Sequence, residues 1–344
     1  MVKEIQDYVL GPHEFRGKSG VCNVTEAIAQ IALYVAARSL QGAEVREKFD
    51  GTFATLYRHL DDGFQPINFI MPWLPLPQNR RRDHARSVME KLYNDMIERR
   101  RQRGNVDGET DMLWSLMEGE YKDGTKVSDV HISRLMVALL LAGQHNTAAT
   151  GAWIMLHLAN QPQVIAELYQ EQKDVLGWPL PPLTWDNLQK LKLNERVIKE
   201  TLRLHSPIHS IFRKVTRPLP VPDTDWVIPP SHTMLASPSL VARTEEVFER
   251  PMVWDPSRWE KAQGDGVTDE EDVGSDSKPS QGVGAISKSV TSPYLPFGGG
   301  RHRCPGETYA YTQLATIIAT LVRMMEWEQV DPKAPVPAPD YSVS

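Results

Sequence analysis

Cysteine is scarce in this chain of 344 residues: Cys22 and Cys304 are the only two. Two thiols cannot make a disulfide framework or a cysteine-rich zinc site, so a reducing compartment suits the chain. Excess positive charge is also lacking. The formal net charge is -6, and phosphate binding needs a basic face, so nucleic acid is not expected as a partner. The local run Arg80, Arg81, Arg82 and Arg86, continued by Arg99, Arg100, Arg101 and Arg103, is diluted by Asp83, Glu90, Asp95 and Glu98 and reads as a solvated helix face. No apolar run approaches the length of a membrane span. The opening Met1-Val-Lys-Glu-Ile lacks the basic-then-apolar pattern of a signal peptide, so neither leader nor anchor is expected in the sequence as written.

What is present is a hydrophobic content of 41%, enough for a substantial core. Apolar residues recur at helical spacing through 24–40, 45–60 and 87–100, and again without proline through 128–160, which predicts a mainly α chain crossed by one long central helix. Ser128 or Asp129 offers its N-cap. Further helices are expected over 163–176, 185–204 and from residue 306 or 307 to about Trp327. Short β-like runs at 213–215, 226–228 and 233–235 predict a small sheet. The proline-rich but greasy stretch 63–77 should cover a pocket or meet a membrane surface. Residues 262–283, rich in Gly, Asp, Glu and Ser, have the composition of a disordered insertion. The whole of 1–344 otherwise reads as one domain without internal repeats.

Two polar features interrupt these patterns. Within the long helix, Gly143-Gln-His-Asn-Thr147 sits among apolar turns, where polar groups need partners. Near the end, Phe297-Gly-Gly-Gly-Arg-His-Arg-Cys-Pro-Gly306 strips side chains from one stretch so that backbone can approach a flat partner closely. It then places Cys304 at the mouth of a helix, with Pro305 suited to the first turn. Helix N-termini favour thiolates as a class. With no second cysteine nearby a zinc site has no support, and nothing in the spacing supplies the base of a Cys/His hydrolase. For an isolated cysteine the plain reading is a buried structural thiol; the loop points instead to a metal ligand.

The arrangement Phe297, Gly300, Cys304, Gly306 resembles the haem-binding loop of the cytochromes P-450. Glu200-x-x-Arg203, followed by Trp254-Asp-Pro-Ser-Arg258-Trp259, resembles the Glu-Arg-Arg triad that supports the haem side of these proteins. Ala142-Gly-Gln-His-Asn-Thr-Ala-Ala-Thr150, Asp61-Asp-Gly-Phe64 with Pro66-Ile-Asn-Phe69, and Leu204-His-Ser-Pro-Ile-His-Ser-Ile-Phe-Arg-Lys-Val215 are similar to segments of the fungal sterol 14α-demethylases. Asn146 departs from that pattern, which usually has threonine there.

The resemblance implies a cytochrome P-450 fold binding haem b through Cys304, with Phe297, Gly298, Gly300 and Gly306 shaping the loop and Arg213 and His302 pairing with propionates. It implies His145 and Thr147 as managers of protons, and Phe64, Ala142, Gly143, Ile208, His209, Ser210 and Ile211 as sterol contacts. Glu200, Arg203 and Arg258 would be structural locks. The implied reaction is oxidation of a sterol 14α-methyl group in ergosterol biosynthesis. It uses dioxygen and electrons from NADPH-cytochrome P-450 reductase at the endoplasmic reticulum membrane, and azoles are the implied inhibitors. Chains of that family begin earlier, with an anchor and first helices, and end later. An incomplete member is therefore expected, and a non-catalytic fragment that binds haem weakly or not at all is the alternative.

Overall fold

A computed structural model describes residues 1–11, 15, 17–48, 51–63, 65, 67–68, 71–105, 111–261, 292–331 and 333–337. The expected disordered insertion at 262–283 and the candidate Phe64 lie outside these. The chain forms two compact units, one containing Met1–Ala148 and the other Ala149–Val336.

In the first unit α1 (Val2–Leu10) precedes α2 (Val24–Ala36), which is capped by Asn23: its side chain accepts from the Thr25 and Glu26 amides. A π-helical turn, Ala37–Gln41, leads to the short α3 (Ala43–Glu47) and then to α4 (Gly51–Asp61). The expected helix over 45–60 is thus two pieces. α5 (Pro77–Arg103) is far longer than its expected span 87–100. Pro77 starts it without loss because the first amide of a helix has no intrahelical partner. Its buried stripe, Ala85, Met89, Tyr93, Met96 and Ile97, follows helical spacing and ends at Arg100. Arg100 is a correction to the solvated-face reading of the arginines: it is 3% exposed and donates to both oxygens of Asp111, at 2.7 and 2.8 Å. Asp111 in turn caps α6 (Met112–Glu118). In the stretch 63–77, the Asn68 and Asn79 amides pair reciprocally at 2.8 Å. Gly63 and Asn68 line a cavity of about 520 Å3 with Leu60, Arg82, Val137 and Leu141.

α7 (Asp129–Asn160) is the expected long helix, and its first amides fold back on Ser128. The second unit adds α8 (Pro162–Leu176), α9 (Trp185–Lys190), α10 (Lys192–Leu204) and, after a strand region, α11 (Pro238–Val241), α12 (Arg258–Lys261) and α13 (Glu307–Met324). The helix expected over 185–204 breaks at Leu191, which is buried. The Glu171 carboxylate accepts from the Leu193 amide at 2.6 Å and the Asn194 amide at 3.4 Å, satisfying the exposed donors of the new helix start. In place of one small sheet, the described residues form two antiparallel strand pairs: β1 (Ile211–Lys214) with β4 (Thr233–Ala236), and β2 (Leu219–Pro220) with β3 (Val227–Ile228). The core gathers Ile154, Leu158, Leu168, Val197, Ile198, Leu314 and Ile318 with Trp254 and Trp259.

Two buried polar groupings sit in this core. Glu200 and Arg203, one turn apart on α10, have fully buried side chains, so the pair is no surface contact. The five N–H groups of Arg203 are all used: two reach Glu200, at 3.0 and 2.9 Å, and three reach the carbonyls of Ala242, Pro251 and Val253. Arg258 Nε and the Asp255 amide donate to the same carboxylate at 2.9 Å, and the Trp259 indole at 3.0 Å. In the second grouping, His157 and His205 share an Nε2–Nε2 hydrogen bond of 2.8 Å. Trp153 stacks on His205 at 3.9 Å and Trp254 on His157 at 4.9 Å. Burial holds His157 down to about 4; burial, then the charges of His157, Arg243 and Arg203, hold His205 down to about 3.

Glu200→Leu strands the Arg203 guanidinium and is expected to cost roughly 3–5 kcal/mol, read as a fall in the urea midpoint by tryptophan fluorescence; an unchanged midpoint would show that the network contributes nothing. The histidine pair gives a pH dependence. Above about pH 6.5 both states are neutral; below it the unfolded chain takes up protons that the fold refuses until about 4 and 3, so stability falls through that window. Between pH 7 and about 4.5 the urea midpoint of the wild type should drop further than that of His157→Gln. Parallel curves would remove this account.

Candidate functional site

The loop from Phe297 to Gly306 is built by hydrogen bonds that turn it back on itself. The Gly298 amide reaches Leu295 O at 3.1 Å, Arg303 N reaches Gly300 O at 3.1 Å, and Cys304 N reaches Phe297 O at 2.9 Å. Gly298 and Gly300 have φ of 71° and 65°, the left-handed region that side chains disfavour. A 3-10 turn, Gly300–His302, carries the chain toward the cysteine. Phe297 anchors the loop on Tyr311 of α13, ring to ring at 5.6 Å, and Tyr311 shares a hydrogen bond of 3.1 Å with Tyr294.

Cys304 carries a free, exposed thiol, which excludes a buried structural cysteine. The helix begins at the expected residue. Its N-cap is Gly306 and its first residue Glu307, so Cys304 and Pro305 both precede the cap rather than opening the first turn. A Cβ on Gly306 would lie 3.7 Å from the sulfur, so glycine there keeps the space beside the thiol clear. Arg303 and Glu307 close the base of the loop with an ion pair of 2.6 Å. An exposed thiol that follows three consecutive glycines in a short turn suits a ligand to a metallocofactor.

Ile211, the first residue of β1, lies against this loop: its Cδ1 is 3.8 Å from the Cβ position of Gly298. Ile208 and His209 are exposed and Ser210 is half-buried. His209 Nδ1 meets Ser210 Oγ at 2.7 Å, and the His209 carbonyl accepts from Ser237 Oγ at 3.0 Å. Arg213 and His302 are both exposed, with the Arg213 guanidinium donating to Phe212 O at 2.8 Å. Glu200, Arg203 and Arg258 form the buried network described above.

In the first unit, the polar interruption of α7 finds its partners on α4 and α2. Gln144 is buried: Tyr57 Oη donates to its Oε1, and its Nε2 donates to Ala29 O at 3.3 Å. His145 is not a core histidine. Its side chain is 52% exposed, and Nδ1 lies 3.4 Å from Asp61 Oδ1. The hydrogen bond to Asp61 raises its pKa against the opposing effect of burial. Thr147 is buried, Ala142 exposed and Gly143 half-buried. Sequence reasoning missed Tyr57 altogether and gave Asp61 no role. The signal available was spacing: Tyr57 and Asp61 are four apart on a helix and so share a face.

The comparisons with known proteins follow the same residues. The family model described as Cytochrome P450 matches residues 2–343. The chain is 60% identical over 341 residues to "Sterol 14-alpha demethylase CYP51C" of Gibberella zeae, covering 99% of this chain and 65% of that protein. It is 49% identical over 346 residues to "Sterol 14-alpha demethylase cyp51A" of Aspergillus fumigatus, covering 99% of this chain and 66% of the relative. The chain therefore spans about two thirds of the length of these curated relatives. Among solved structures, that titled "Retinoic acid bound cyanobacterial CYP120A1" superimposes with a TM-score of 0.74 at 19% identity, over 95% of this chain and 66% of the other. With the mainly helical architecture, the glycine-bounded thiol loop and a match over nearly every residue, this chain belongs to the cytochrome P450 family.

Proposed function

We propose that this chain carries the haem-thiolate machinery of a sterol 14α-demethylase, a monooxygenase that oxidises the 14α-methyl group of a sterol. The observation that carries this reading is the exposed thiol of Cys304 in a loop held open by glycines, in a chain 60% identical to a protein of that name. Haem b, bound by a cysteine thiolate, supplies the oxygen-activating chemistry of the family.

The protein's own part divides by residue. Cys304 is the residue whose thiolate would hold the haem iron. Gly298 and Gly300 take the left-handed φ of the loop, Gly306 leaves the space beside the sulfur open, and Phe297 fixes the loop to α13 through Tyr311. Arg213 and His302, both reaching solvent, are the cations for the propionate carboxylates. Ile208, His209, Ser210 and Ile211 in the second unit, and Ala142 and Gly143 on α7, are the assigned sterol contacts. Asp61 lies against Nδ1 of His145, which raises the pKa of the ring and leaves Nε2 as the nitrogen that would exchange a proton. Thr147 supplies a hydroxyl one residue beyond Asn146, whose amide can hold a water but is a poor proton relay. Glu200, Arg203 and Arg258 hold the second unit's interior in register. Dioxygen and an NADPH-dependent reductase complete the reaction, and the endoplasmic reticulum membrane is its place. Among the described residues no helix is long and apolar enough to cross a membrane.

The test is the carbon-monoxide difference spectrum of the purified, haem-loaded and reduced chain beside a Cys304→Ala variant. A strongly red-shifted Soret band that the variant loses is the expected result. Identical spectra, or no such band, would overturn the enzyme reading in favour of a non-catalytic fragment.

A further inference from the structure

Two hydrogen-bonded rungs join α4 to α7 in the first unit. The exposed rung is Asp61–His145, at 3.4 Å. The buried rung is Tyr57–Gln144, in which the phenol donates to Oε1 while Nε2 donates on to Ala29 O of α2. The rungs are tied through both backbones: Tyr57 and Asp61 are one turn apart on α4, and Gln144 and His145 are consecutive on α7. Tyr57 and Gln144 are each 6% exposed, and a buried amide with both ends occupied has one orientation.

We propose that Tyr57 is a positioning residue for His145, acting through Gln144 to fix the register in which the imidazole meets Asp61. This rests on the proton-carrying role given to His145 above. The chemical reason is the difference in strength between the rungs. An ion pair at a half-exposed site is weak and exchanges with water, so it cannot by itself hold two helices at hydrogen-bonding distance. A buried hydrogen bond can, because breaking it leaves unsolvated polar atoms on both helices. Asp61 is the charge acting on the ring, and α7 carries no Lys, Arg, Asp or Glu between Arg134 and Asn160. Tyr57 feels the same carboxylate, and its hydroxyl is kept protonated first by burial and then by Asp61. It is therefore a donor at every pH of interest, and Gln144 Oε1 the acceptor.

The same unit contains a matching arrangement without the histidine, which serves as control. Tyr93 Oη donates to Gln41 Oε1 at 2.6 Å, and Gln41 Nε2 donates to Met136 O at 3.2 Å. Tyr93→Phe removes an equivalent buried hydroxyl away from the ladder.

The experiment follows the 13Cε1 resonance of His145 through a pH titration of the folded, histidine-labelled chain, assigned with His145→Gln. Asp61→Asn should bring the raised titration of His145 back to the ordinary histidine range. Tyr57→Phe should move it the same way by about half a unit or more, roughly a threefold change in protonation at a given pH, with Gln144→Met alike and Tyr93→Phe without effect. In turnover assays the alkaline limb of Tyr57→Phe, where the protonated ring is lost, should shift to lower pH by the same amount. The proposal is overturned if Tyr57→Phe and Gln144→Met titrate as wild type, or if Tyr93→Phe shifts His145 as far as Tyr57→Phe does. Failure of the proton-carrying role looks different: titrations shift in Asp61→Asn and Tyr57→Phe while the pH profile of turnover stays fixed, which leaves the positioning intact.

Discussion

The carboxylate of Glu200 lies where no water reaches it, and the interior of the second unit is arranged to supply the solvation it has lost. Five donors converge on its two oxygens, from Arg203, Arg258, Trp259 and the backbone of Asp255. Arg203 then extends the same solvation to three carbonyls of the irregular segment 242–253. That segment has little regular structure to satisfy its own polar groups, so the ion network does for it what ladder hydrogen bonds do for a sheet. A buried charge pair of this kind is poor evidence of extra stability but sound evidence of specificity. The carbonyls it selects are separated by up to eleven positions in the chain, and no apolar filler of the same volume would choose among them.

The long helix was legible because its apolar spacing runs unbroken and Ser128 marks its start. The polar insert at 143–147 announced a partner without naming it. What sequence could not supply was which member turns inward: Gln144, the uncharged residue, takes the buried position, and His145 faces out to Asp61. Desolvation decides this, since an amide satisfied at both ends loses less on burial than an imidazolium. α5 starts ten residues before its expected span because Arg80 to Arg86 dilute the apolar stripe that begins only at Ala85. Arg100 was misread for the opposite reason: it ends the stripe and is paid for by Asp111, a partner that lies eleven residues away and belongs to the next helix.

In the thiol loop the helix start expected at 306 or 307 is the one observed, while Pro305 lies before the cap instead of in the first turn. Proline and glycine after Cys304 suggested a first turn, yet the intrahelical ladder starts with Ala310 N bonding to Gly306 O. Cys304 is instead held by its own amide on Phe297 O, a contact no periodicity encodes. The motif points to the cytochrome P450 family to which the chain belongs, and the sulfur lies two residues before the helix cap. The three expected strand runs overlap β1, β3 and β4, but β2 has no counterpart among them and the grouping into one sheet is wrong, because runs of two to four residues carry no information about pairing.

The interruption at Leu191 has a consequence for how this interior tolerates change. Each residue added to a continuous helix rotates everything beyond it by about 100°. Had the chain run straight from Trp185 to Leu204, an insertion or deletion in α9 would have swung Glu200 away from Arg258. With the break, and with Glu171 of α8 gripping the amides of Leu193 and Asn194, the angular phase of α10 is set from its own first turn. The loop and helix upstream are free to drift in length without rotating the buried carboxylate.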